Sequence, residues 1–268
     1  MKIVRFSTGS KTQYGLLEGT TIRGLKTSPF DEGWDKKNPN MDGTSYTLNK
    51  ISLLPPCVPT KYIGVGTNYR PQPGDPIRPD GPPPAPLPDK PILFFKPLTA
   101  VVGPGEEVIF PAEVEAAVAY EGELGVVIGK KCKNVKEKDA LNYVIGYTCA
   151  NDVTDTSKFR IDNGKDFRAK SVDTFGPIGP CISTDVDPMN AVVRSWINGE
   201  QRQNGNSKNM LFNVPYLISY LSVFMTLMPG DVIATGTPAG AGGVKVGDVA
   251  KVEIEGIGAL ENKFVSHR

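Results

Sequence analysis

From Ile92 onward the chain breaks into short apolar runs, almost every one stopped by glycine or proline. The clearest span 92–95, 108–110, 117–128, 144–148, 191–197, 231–235 and 249–254. Most are long enough for a strand and too short for a stable helix. Helical patterning is rare. Residues 136–143 are one candidate. Residues 214–225 are the better one, with Leu217, Leu221 and Phe224 on one face and Pro229-Gly230 as a stop. Strands and helices do not alternate regularly, and no internal repeat is visible. The expected fold is a β-rich α+β chain.

Residues 1–55 read as a small strand-rich N-terminal domain. Ile3, Val4 and Phe6 begin it, Gly15-Leu16-Leu17 suits a hairpin, and Pro55-Pro56 marks its end. Residues 56–268 form the larger domain, interrupted over 71–91 by a proline-rich segment with nine prolines from Pro71 to Pro88. Apolar strands resume on both sides of it, so it reads as a stiff extended arm over the domain rather than an interdomain linker. A docking motif for a proline-recognition domain is the weaker alternative. Gly64-x-Gly66 lacks the third glycine of a dinucleotide fingerprint, and prolines follow where a helix would begin, so a tight strand end is expected there.

Thirty Lys and Arg against 29 Asp and Glu leave a net charge of +1, so no overall field draws the chain to nucleic acid or an anionic membrane. There is no run of membrane-spanning length, and the N-terminus has no signal-like apolar core. The four cysteines form no C-x-x-C pair and read as reduced thiols, which suits the cytoplasm. The one histidine is His267, near the chain end, which argues against imidazole catalysis and histidine-rich metal sites.

The sharpest chemical signal is Tyr120-Glu121-Gly122-Glu123-Leu124-Gly125-Val126-Val127-Ile128. On a strand, Glu121 and Glu123 leave the same face. Two neighbouring carboxylates on a buried strand repel and lose hydration, and a hard divalent cation would resolve both problems. An edge strand with both glutamates in water is the alternative. A second apolar run, Val144 to Asn151, ends in Asp152, a third acid. Lys170 follows in a loop, where it can stabilise negative charge or simply face solvent. The glycine-rich stretch after Asp231, including Gly236 and Thr237, has no P-loop ending, but its N–H groups can hold a carboxylate. A flexible hairpin turn is the plainer alternative.

Taken in order, Gly66-Thr67-Asn68-Tyr69, Phe95-Lys96-Pro97, Glu121-Gly122-Glu123-Leu124, Ala150-Asn151-Asp152-Val153, Lys170 to Phe175, Asn198-Gly199-Glu200 with Gln203, and Pro229-Gly230-Asp231 through Thr237-Pro238 resemble the fumarylacetoacetate hydrolase family. The resemblance covers the chain from about residue 60 to its C-terminus. It implies a mixed β-roll domain and a homodimer. It implies Mg²⁺, or Mn²⁺ or Ca²⁺, on Glu121, Glu123 and Asp152, with a small 2-oxo or 1,3-dioxo organic acid chelated to the cation. Lys170, Gln203 and Thr237 fall on positions that contact substrate in relatives, and Tyr69 and Gly236 join the expected substrate-binding set.

Two departures stand out. Many relatives carry a histidine and a glutamate on a lid helix after the Asn-Tyr pair. Here those positions are Gln72 and Asp75, among prolines that oppose a helix. Relatives also often have Ser-Ala-Arg where this chain has Thr154-Asp155-Thr156. The expected catalytic set is therefore Lys170 with Asp75 and Gln72. Glu106-Glu107 could also relay a proton, though they fit a turn better. The expected chemistry stops at a cation-stabilised enolate, giving isomerisation (tautomerisation) or decarboxylation. Hydrolysis of a C–C bond, as in acylpyruvate hydrolases, is one alternative, and a non-catalytic ligand-binding relative is another.

Overall fold

A computed structural model describes residues 1–75, 86–112, 117–157 and 167–267. Most of the proline-rich arm, residues 76–85, lies outside the described residues.

The fold is the β-rich α+β type expected. Among the described residues the strands form three sheets. In the 12-stranded sheet, Gly122–Ile128 lies between Val144–Asn151 and Val232–Ala234, and Tyr62–Gly66 and Ile92–Lys96 continue beyond Val232–Ala234 to the edge. At its other end Lys2–Ser7 pairs with Gly176–Ser183, so the N-terminal strands extend the same hydrogen-bonded sheet. A five-stranded sheet runs Glu200–Asn206, Val192–Ile197, Val249–Ile254, Gly258–Ser266, Val108–Phe110. A three-stranded sheet holds Thr154–Asp155, Val118–Tyr120 and Gly242–Val244.

Strand Gly122–Ile128 is buried at every position. Leu124, Val126 and Ile128 enter a core cluster with Ile63, Leu217 and Leu221. Val127, on the opposite face, joins Tyr62, Ala150 and Ile178 in a second cluster. Covering on both faces explains why this strand reads as an unbroken apolar run.

Several expectations need correction. The run 117–128 is not one strand: it breaks at Glu121 into Val118–Tyr120 and Gly122–Ile128, which belong to different sheets. At the break the Glu121 N–H donates to the Asn151 side chain at 3.0 Å, and its carbonyl accepts from the Asp152 N–H at 2.9 Å. The chain can change sheets there without losing backbone hydrogen bonds. The candidate helix at 136–143 is a 3₁₀ helix, Glu137–Tyr143. The α-helix Val214–Phe224 stops before Pro229-Gly230, where Met225 turns extended, and Asn213 caps its start through the Tyr216 N–H. Leu217 and Leu221 are buried as expected, but Phe224 is 63% exposed. As the last helical residue it stands edge-on to Tyr220 at 5.1 Å instead of entering the core. The N-terminal hairpin turns at Thr8–Lys11, leaving Gly15 inside a strand opposite Val4. The tight strand end expected at Gly64-x-Gly66 is present: strand Tyr62–Gly66 stops at Gly66, and Thr67 follows with φ +50°.

Candidate metal centre

The acidic cluster follows from strand register. Strands Gly122–Ile128 and Val144–Asn151 are antiparallel, with Gly122 opposite Asn151 and Glu123 opposite Ala150. One residue beyond the ladder, Glu121 faces Asp152 across their shared backbone hydrogen bond. Glu121, Glu123 and Asp152 therefore converge, each offering a carboxylate oxygen within 4.8 Å of the other two. Glu123 and Asp152 are each only 1% exposed, and Glu121 is half-buried.

The dipeptide step between the glutamates is braced on both sides. The Gly122 N–H donates to Oε1 of Gln203 at 3.1 Å, and its carbonyl accepts from the Thr237 hydroxyl at 2.8 Å. Gln203 in turn donates to Oγ1 of Thr237 at 2.7 Å and to the Pro238 carbonyl at 2.8 Å. A Cβ at Gly122 would come within 2.8 Å of Oε1 of Gln203, so only glycine allows this approach. Gln203 and Thr237, expected as substrate contacts, thus hold the two glutamates in register. The Gly236 N–H donates to Oε2 of Glu123 at 2.8 Å. Gly236 has φ +93°, and a Cβ there would lie 2.7 Å from Cβ of Asn68.

Two lysines face the cluster. Lys170, at the end of the 3₁₀ helix Phe167–Lys170, places Nζ 2.5 Å from Oδ2 of Asp152, 3.1 Å from Oε2 of Glu121 and 2.7 Å from Oγ1 of Thr154. Lys96 approaches from the other side, with Nζ 2.6 Å from Oδ1 of Asp152. That contact is an ion pair without an aligned hydrogen bond, since Oδ1 has no hydrogen-bond partner. Lys96 does donate to the carbonyls of Val153 and Phe175, both at 2.8 Å.

Burial pushes the Glu123 carboxyl well above the usual range, and the neighbouring Asp152 and Glu121 charges add to the rise. Burial acts on Asp152 in the same sense, but the ammoniums of Lys170 and Lys96 outweigh it and hold that carboxyl below normal. Burial would lower Lys170, yet Asp152 and Glu121 raise it. For Lys96 burial wins, and its ammonium is held below the ordinary lysine range despite Asp152.

The hydroxyls of Tyr62 and Tyr69 are buried without a hydrogen-bond partner among the described residues. Burial raises both phenols, and the Glu123 carboxylate raises each further. Three hard oxygen donors, with buried unpartnered phenols among the described residues nearby, suit a divalent cation with an oxygen-rich ligand.

Gln72 and Asp75 form a turn of their own. Oδ2 of Asp75 accepts from the Gln72 N–H at 2.6 Å, and the Gln72 amide donates to the carbonyls of Arg70 and Pro71. Among the described residues, none of these bonds reaches the acidic cluster. Glu106 accepts from the Gly103 N–H, as a turn residue would. In the Thr154-Asp155-Thr156 segment, Thr154 holds Lys170, while the Thr156 hydroxyl donates to the Ala117 carbonyl at 2.6 Å. Sequence reading gave no role to Lys96, Phe94 or Thr154. Alternation along Ile92–Lys96 offered a signal for two of them, because it puts Phe94 and Lys96 on one face, directed at the acids.

Residues 61–265 match the fumarylacetoacetate (FAA) hydrolase C-terminal family, and residues 1–56 match the Rv2993c-like N-terminal family. The chain is similar over its full length to the crystal structure of 5-carboxymethyl-2-hydroxymuconate delta-isomerase from Mycobacterium smegmatis, which it also covers fully (TM-score 0.88, 36% identity). It is 41% identical over 239 residues to the mitochondrial oxaloacetate tautomerase fahd2 of Xenopus laevis, spanning 84% of this chain and 72% of that one. It also resembles maleylpyruvate hydrolase from Sphingobium sp. SYK-6, solved with manganese(II) and pyruvate (TM-score 0.78, 27% identity, 100% of both chains).

Proposed function

Because the chain belongs to the fumarylacetoacetate hydrolase family, we propose that it is a divalent-metal-dependent enzyme that interconverts the keto and enol forms of a 2-oxo or 1,3-dioxo acid, or decarboxylates such an acid. The observation that carries this reading is the convergence of Glu121, Glu123 and Asp152 within 4.8 Å beneath the Lys170 ammonium. Mg²⁺ or Mn²⁺ held there would polarise the oxo group and offset the negative charge that develops when a proton or CO₂ leaves. The isomerase and tautomerase relatives, and the neighbour holding manganese and pyruvate, support this substrate class.

In this reading the chain itself does four things. Glu121, Glu123 and Asp152 hold the cation. Gln203 and Thr237 keep Gly122, and so both glutamates, in place. Tyr69 offers its unpartnered hydroxyl to the bound acid. Lys170, which touches both Glu121 and Asp152, would place its positive charge beside the bound acid. Gln72 cannot serve as a base near neutral pH, which is why a reaction ending at the enol is preferred to one requiring activated water. Hydrolysis of a C–C bond is the second reading, favoured by the likeness to maleylpyruvate hydrolase. A homodimer is the proposed assembly, and the cytoplasm is the proposed compartment. No described helix is long and apolar enough to cross a membrane.

The test is to incubate purified protein with Mg²⁺ or Mn²⁺ and oxaloacetate, enol-form pyruvates or an acylpyruvate, then identify the products. Decay of enol absorbance without cleavage supports tautomerisation, and CO₂ release supports decarboxylation. Cleavage to pyruvate and a second acid would replace this reading with the hydrolytic one.

A further inference from the structure

Resting on the metal-dependent reading above, we propose that Lys96 selects the cation. By occupying Oδ1 of Asp152 it makes that carboxylate a one-oxygen ligand, which favours small octahedral ions such as Mg²⁺ and Mn²⁺ over Ca²⁺.

The Lys96 side chain is fully buried, and its ammonium has few alternatives to its present place. It sits 2.6 Å from Oδ1 of Asp152 and donates to the carbonyls of Val153 and Phe175. It also reaches the Lys170 carbonyl at 3.4 Å, so three backbone carbonyls and one carboxylate oxygen surround its three donors. Its stem is confined as well. Tyr62 lies directly opposite Lys96 in the strand ladder, and a Cβ added at Gly176 would lie 2.9 Å from the Tyr62 ring and 3.4 Å from Cδ of Lys96. Lys170 differs, because all three of its side-chain partners belong to the cluster or its rim, and it can yield to a cation.

The two oxygens of Asp152 therefore have different fates. Oδ2 faces the other acids, since one Lys170 ammonium touches both it and Oε2 of Glu121. Oδ1 faces Lys96. Glu123 is restricted in the same way, with Oε2 engaged by the Gly236 N–H. Ca²⁺ takes 6–8 oxygens and readily uses both oxygens of a carboxylate, whereas Mg²⁺ holds near-ideal octahedral geometry. Drawing Oδ1 onto a cation would break its ion pair and set the dication beside a buried ammonium, an arrangement that low dielectric makes unfavourable.

The experiment is calorimetric binding of Mn²⁺, Mg²⁺ and Ca²⁺ to the full chain and to Lys96→Met, with thermal unfolding in chelator to verify folding. We expect the wild type to prefer Mn²⁺ and Mg²⁺, and the variant to lose about tenfold of that preference as Ca²⁺ gains relative to Mn²⁺. A purely structural role for Lys96 would weaken all ions alike, so an unchanged Ca²⁺/Mn²⁺ ratio overturns the inference and leaves the metal-dependent reading standing. Failure of the wild type to bind any of the three ions overturns both. Should the variant not fold, a crystal structure of the wild type with Ca²⁺ decides: Asp152 bound through Oδ2 alone supports the proposal, and binding through both oxygens refutes it.

Discussion

The Lys170 ammonium lies 4.6 Å from the centre of the Phe94 ring, and that ring occupies the space a side chain at Gly64 would fill. A Cβ at Gly64 would fall 2.1 Å from Cζ of Phe94. Gly64 therefore acts on Lys170 through an aromatic ring. Gly64→Ala must shift Phe94 and with it the support for Lys170. Overpacking should cost about 1–3 kcal/mol in stability, measured by chemical denaturation. Turnover should fall more than the affinity for metal.

Glu123→Gln should abolish activity and weaken cation binding severely. Its effect on the metal-free protein has a definite sign. Glu123 is raised well above 4.5 in the fold, so between 4.5 and its raised value the native state keeps a proton that the unfolded chain has lost. Stability in chelator should therefore decline as pH rises through that interval, and the variant should flatten the decline. For the wild type, Mn²⁺ binding within that same interval should release protons, detectable as a dependence of the calorimetric heat on buffer ionisation enthalpy.

Lys170→Met should destabilise the metal-free protein by on the order of 3 kcal/mol, because it removes the ammonium that Glu121 and Asp152 share. Asp152 is depressed below 3.8, so its contribution is present above that value and fades as pH falls through the folded one. Lys170 is raised above 10.5, so its contribution is complete below that pH and fades as pH rises through the folded value. The penalty should hence be nearly constant across neutral pH. Saturating Mn²⁺ should shrink it, since the dication replaces the missing ammonium. An equal penalty with and without Mn²⁺, read from melting temperatures, would mean that cation and lysine do not share the site.

Asn68→Ala should destabilise the fold by about 2–4 kcal/mol, since it strands buried backbone groups. Asn68 is fully buried, donates to the carbonyls of Thr235 at 2.7 Å and Phe212 at 3.0 Å, and accepts from the Phe212 N–H at 2.9 Å. It ties the residue before Tyr69 to the segment that leads into Gly236. Denaturant unfolding measures the loss, and a rise in the KM for the acid should accompany it.

The sequence alone was enough to determine the strand-rich character, the position of the α-helix Val214–Phe224, and the identity of the three clustered acids. Those features are local. Residues two apart on a strand share a face, and an apolar run bounded by glycine and proline sets its own length. Only the tertiary structure decided what surrounds the acids. Strand register set Asp152 opposite Glu121, and the sheet switch at Glu121 turned an apparently continuous strand into a corner. Lys96 comes from 56 positions away to hold Asp152, and Gln203 and Thr237 reach Gly122 from still farther along the chain. Such partners are chosen by three-dimensional packing and by the need to compensate every buried charge and amide. A one-dimensional pattern carries neither constraint.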